Sequence, residues 1–100
     1  MIVRIAAAGA VVLDADDCTR LHVETDLDVE ALAKALAETG SGTPADAESV
    51  WLDVGVLRSR AQLLVDAPDW PQRWEAMIGY AQRKGWLSPD GHSVQAHIQR

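Results

Sequence analysis

The stretch TRLHVETDLDVEALAKALAETG, residues 19–40, contains the change of period that decides the fold class. From Thr19 to Thr25 the residues alternate, with Leu21 and Val23 on one face and Arg20, His22 and Glu24 on the other. A period of two is that of a strand with one face buried and the other in water. From Val29 onward the spacing lengthens, and Val29, Leu32 and Leu36 recur along one side of a helix. Asp28 is suited to the N-cap, Glu30 sits where the helix dipole favours an anion, and Gly40 supplies a left-handed stop after Thr39.

Upstream, residues 2–6 and 10–14 read as two short strands with Gly9 in the turn between them. Together with 19–25 they suggest an antiparallel meander. Downstream, residues 41–47 read as a loop, in which Thr43-Pro44-Ala45-Asp46 could open a single helical turn. Residues 49–53 alternate again, sending Trp51 and Asp53 away from Val50, Leu52 and Val54. The period then returns to that of a helix over 54–65, on Val54, Leu57, Ala61 and Leu64, with Asp53 as its cap and Gly55 as its weak point.

Asp69-Trp70-Pro71-Gln72 reads as an N-cap, a proline in the first turn and a capping-box glutamine. The helix it opens spans 69–84, with Trp74, Met77, Ile78 and Ala81 as its apolar stripe, Arg83 and Lys84 at its C-terminal dipole and Gly85 as its stop. Ser88-Pro89-Asp90-Gly91 is a turn joining Trp86-Leu87 to a last strand, 93–99. There Val94, Ala96 and Ile98 face in while Gln95, His97 and Gln99 face out. The order is βββ–α–β–α–α–ββ, which predicts an α+β fold: a mostly antiparallel sheet with helices packed on one face, and a single domain over 1–100.

Charge is unevenly spread. Residues 1–53 carry eleven acids against Arg4, Arg20 and Lys34, a net −8, while residues 54–100 carry +2, for −6 in all. An acidic chain is a poor general ligand for nucleic acid or an anionic membrane. Cys18 is alone, so no internal disulfide forms, and no apolar run approaches a membrane span, which makes the cytoplasm the expected location. Arg4 followed by Ile5 to Leu13 has the order of a secretory leader. Leu13 runs directly into Asp14-Ala15-Asp16-Asp17 without a small-residue cleavage site, and that argues against secretion.

Most chemistry fails on spacing. Asp14-x-Asp16-x-Cys18 lacks the glycine and the distal glutamate that a calcium loop needs, since Thr19 and Thr25 occupy those places. His22, His92, His97 and Cys18 lack the close pairing of a structural zinc site, so no metal is expected, and no cofactor. Gly40-Ser41-Gly42-Thr43 follows a helix instead of preceding one, which is the wrong end for phosphate. Cys18 beside Asp16 and Asp17 is not activated as a nucleophile.

Two features survive. If strands 19–25 and 93–99 are neighbours, His22, His97 and Glu24 share one outer surface and are the candidates for acid–base work; Arg20 joins them as a binding candidate. Trp51 and Trp70 are candidate contact residues, Trp51 by its outward parity and Trp70 by its half-exposed place at a helix start.

The leading expectation is therefore a small non-catalytic interaction or accessory protein, self-associating as a homodimer through a sheet edge or the Trp51 face, and open to a protein partner. The alternative is a small-molecule-binding protein or small enzyme using the polar face at His22 and His97. A second alternative is a winged-helix-like DNA-binding domain, since helices 54–65 and 69–84 precede a hairpin with a Pro-Asp-Gly tip. Its would-be wing carries no Arg or Lys before Arg100, so nucleic acid is not expected.

Overall fold

The computed structural model describes all residues from Met1 to Arg100. Nine elements follow one another: β1 (Ile2–Ala6), β2 (Gly9–Leu13), β3 (His22–Thr25), α1 (Val29–Thr39), β4 (Gly42–Asp46), β5 (Ser49–Asp53), α2 (Val54–Gln62), α3 (Trp70–Arg83) and β6 (Ser93–Gln99). The class is α+β, as the period changes predict. The strands form one six-stranded sheet in the order β2-β1-β3-β6-β5-β4.

The sheet is mixed, which corrects the expectation of a mostly antiparallel one. β1–β2, β4–β5 and β5–β6 are antiparallel, but β1–β3 and β3–β6 are parallel. No meander forms, because the chain does not turn back tightly after β2. Asp14 takes a left-handed φ of 50°, and residues 14–21 carry the chain to the other side of β1 past its start, where the Met1 amino group donates to the Asp17 and Arg20 carbonyls. A parallel pair needs such a crossover, and here β2 is part of it. Ala15 is buried in the crossing, and its carbonyl accepts the indole N–H of Trp70 at 2.8 Å. Trp70 is thus a core residue, 3% exposed and stacked on Trp74 with ring centroids 5.5 Å apart, not the half-exposed contact its position suggests.

Residues 41–47 are not a loop. Gly42–Asp46 forms edge strand β4, paired with β5 and interrupted by a register shift between Pro44 and Asp46. Gly42 is required there, since a Cβ would lie 1.9 Å from the Trp51 carbonyl oxygen. Trp86-Leu87 makes only an isolated bridge, Leu87 to Val94, in place of a full strand. The strand after α3, β6, lies between β3 and β5 in the interior of the sheet.

The caps largely follow the residues. Asp28 accepts from the Ala31 N–H, Asp53 from the Val56 N–H, and Gly40 adopts φ 65°. Asp69 makes no side-chain cap and is itself helical; it takes the Arg73 guanidinium at 3.2 Å instead. α2 stops at Gln62, three residues early, leaving Leu64 62% exposed and off the expected apolar face. Arg60, in its last turn, donates to the Ser41 hydroxyl and to the Thr39 carbonyl, tying α2 to the end of α1.

One apolar cluster joins the layers. Leu32, Leu36, Leu57, Ala61, Trp74 and Ala81 from the helices meet Val3, Ile5, Val23, Val50, Leu52, Val94 and Ile98 from the strands. Those strand residues share one face by parity, so all three helices pack on it. α1 touches both edge strands, β2 and β4. The outward-facing residues of the strands lie on the other face of the sheet, opposite this helix layer.

Candidate functional site

The helix-free face is built by the residues that alternate with the core. Cross-strand register aligns Val11, Arg4, Glu24 and Gln99 in one row, and Leu13, Ile2, His22, His97 and Ser49 in the next. Gln95, Trp51 and Thr43 form a third row towards β4. The condition set by the sequence is met: β3 and β6 are neighbours, and His22 and His97 are direct register partners.

Their surroundings differ. His22 is mostly buried, with Nε2 3.9 Å from a Glu24 carboxylate oxygen, too long for a hydrogen bond. Glu24 also lies 3.8 Å from Arg4, which makes it the centre of a loose charged row. His97 is exposed and lines an open depression of about 380 Å³ with Gln95, Ser49, Asp46, Glu48, Leu21 and Trp86. A hydrogen-bonded chain sets its floor. Gln95 Nε2 donates to Ser49 Oγ, which donates to Asp46 Oδ1, both at 2.9 Å. The Glu48 N–H donates to the same Asp46 oxygen at 2.8 Å. That N–H, and after it the Ser49 hydroxyl, holds the Asp46 carboxyl below the usual carboxylate range.

Trp86 is the wall that the sequence did not single out. It is 44% exposed and packs edge-on against Tyr80, at 5.8 Å between centroids. Its position follows from the end of α3: the Trp86 N–H bonds back to the Ala81 carbonyl, while its own carbonyl takes the Gln95 N–H. The signal was a tryptophan immediately after the helix-ending Gly85, read as a strand residue. Behind it, Leu21, Trp86 and Gln95 also line an apolar recess of about 90 Å³ with Met77, Ile78 and Tyr80.

The other candidates are dispersed. Trp51 points to the helix-free face beside Gln95 and is half-buried there without a helix over it. Arg20 precedes β3 and lies 3.9 Å from Asp17, not with His22 and Glu24. Asp16 is held by Arg73 at 2.6 Å, and the acidic turn is thereby closed against α3. Burial pushes the Cys18 thiol up; Arg73 opposes the shift, and Asp16 and Asp17 add to it. No three His, Cys, Asp or Glu side chains stand together as a metal site would need. No helix is long and apolar enough to cross a membrane. The segment 4–13, with the order of a leader, forms most of the β1–β2 hairpin.

No family model matches this chain, and neither a curated protein nor a solved structure matches it.

Proposed function

We propose that this chain is a non-catalytic interaction protein, that its working surface is the helix-free face of the sheet, and that it self-associates through the end of that face built on β2. The observation that carries this is the contrast between the two sheet edges. β4 is blunted by Pro44, by a register shift and by Asp46. β2, Gly9-Ala10-Val11-Val12-Leu13, has no charge and no proline, and it presents Val11 and Leu13 53% and 39% exposed. Sheet edges are normally protected, and an apolar unprotected one is a template for pairing. α2 approaches β2 through Val56, Leu57 and Arg60, which share a small recess with Ala10, Val11 and Val12, yet Val11 and Leu13 keep much of their surface in solvent.

A twofold axis satisfies such a strand most simply, by setting it antiparallel to its own copy. Of the two sheet edges open to such a dimer, β2 and β4, the unblunted β2 is the one we assign to it. The lone Cys18 is compatible with the reducing cytoplasm. Light scattering of the wild type against Val11→Lys tests the proposal: a dimer reduced to monomer supports it, and a monomeric wild type ends it.

A second reading, small-ligand binding on the polar face, is favoured by the depression beside His97. In the winged-helix reading the second strand of the wing would be β6, which is an inner strand of the six-stranded sheet.

A further inference from the structure

We propose that the depression between Trp86 and the β4–β5 turn binds an organic cation, an ammonium or guanidinium head carried on an apolar stem. It deepens the second reading above and is independent of self-association, because β2 and β5 stand near opposite edges of the sheet.

Three features fix the ligand class. The charged side chains lining the depression, Asp46 and Glu48, are both acidic. Asp46 is kept ionised by its two donors, which converge on Oδ1 and leave Oδ2 for a ligand. Trp86 lines the same depression, exposed and with its own aromatic partner, Tyr80, packed edge-on against it. An indole face attracts a cation by its quadrupole, and more strongly where water is displaced. Finally, the polar depression and the apolar recess share Leu21, Trp86 and Gln95. A ligand with its head at the carboxylates thus has an apolar surface beside it for a short hydrocarbon stem, next to Met77 and Ile78.

Nearby cations do not fill the place. Arg20 borders the recess but is turned to Asp17, while Arg83 and Lys84 lie over Tyr80 at 6.0 and 5.5 Å. Gln95 and Ser49 on the floor and His97 at the rim can orient a head group without adding fixed positive charge when the imidazole is neutral.

The test is a titration with hexylammonium and, separately, hexanoate, which has a stem of the same kind and the opposite charge. The readout is the indole and imidazole resonances of Trp86 and His97. Saturable shifts with hexylammonium alone are the expected result. Asp46→Asn with Glu48→Gln, changes that keep size and turn acceptors, should weaken binding about ten-fold or more. Trp86→Leu should weaken it as well. Equal response to hexanoate, no saturable response, or unchanged affinity in the double variant would overturn the proposal. A short lysine-containing peptide separates two sources of the head group. Tighter binding than hexylammonium assigns it to a partner's side chain, weaker binding to a free amine, and either upholds the cation site. If Val11→Lys is monomeric yet still binds hexylammonium, the two proposals are distinguished.

Discussion

His22 and His97 are register partners on adjacent parallel strands, and their imidazoles rise from the same face of the sheet. Two imidazoles side by side differ in environment, one mostly buried near Glu24 and the other exposed at the rim of a depression. This pairing depends on β3 running parallel to both β1 and β6. In a chain with Cys18→Ser, His22→Cys with His97→Cys should oxidise to an intramolecular disulfide. Cα atoms of paired strands fall within the roughly 4.4–6.8 Å that the bond spans. Failure to form it in the folded chain would contradict the strand order.

Trp74→Ala should be among the most damaging substitutions. The ring is buried, stacked on Trp70 and central to the contact of α3 with the sheet. Loss of a buried tryptophan costs about 3–5 kcal/mol, a large part of a typical total of ~5–15 kcal/mol. Denaturant unfolding measures it, and an unchanged midpoint would remove the stripe from the core.

Gly42→Ala tests strand β4. The added carbon would fall on the Trp51 carbonyl oxygen, at a backbone φ of 156°. A cost above ~1 kcal/mol is expected, against the small effect of alanine in an unconstrained loop. Amide exchange should quicken at β4 and at the β5 residues that pair with it.

Acid should destabilise the fold through three surface carboxyls. Asp17, Asp46 and Asp90 are each held below the ordinary carboxylate range by hydrogen bonds, chiefly from the Thr19 hydroxyl, the Glu48 N–H and the Ser88 hydroxyl. A depressed folded pKa gives stability that is complete above the unfolded value near ~4 and lost as pH falls through the lower folded value. Melting temperature should therefore be level in this respect down to about pH 5 and fall below about pH 4. In Asp46→Asn, which cannot ionise there, the acid fall should be shallower.

Much of this architecture is local and was legible in the sequence. Asp28, Asp53 and Gly40 act as the caps their residue types predict, and the parities of Val50, Trp51, Val94 and His97 hold in the sheet. What the sequence hid is non-local. The run to β3 carries no mark that it passes to the other side of β1, because one bond that anchors it, from the Trp70 indole to the Ala15 carbonyl, comes from 55 residues away in sequence. β4 was hidden by its Gly and Pro, residues that argue against a strand except at an edge or a close backbone approach. Half of the candidate site was legible, in His97 and its outward neighbours. Trp86, Asp46 and Glu48 come to it from two turns whose meeting depends on sheet order alone.

The claim that the helix-free face is a contact surface is tested most directly by sedimentation equilibrium of the wild-type chain at micromolar concentration. The account predicts a species of about twice the 10.8 kDa chain mass, with Val11→Lys and Leu13→Lys shifting it to the chain mass while the circular dichroism spectrum is retained. A wild type that remains at 10.8 kDa up to high micromolar concentration would contradict it.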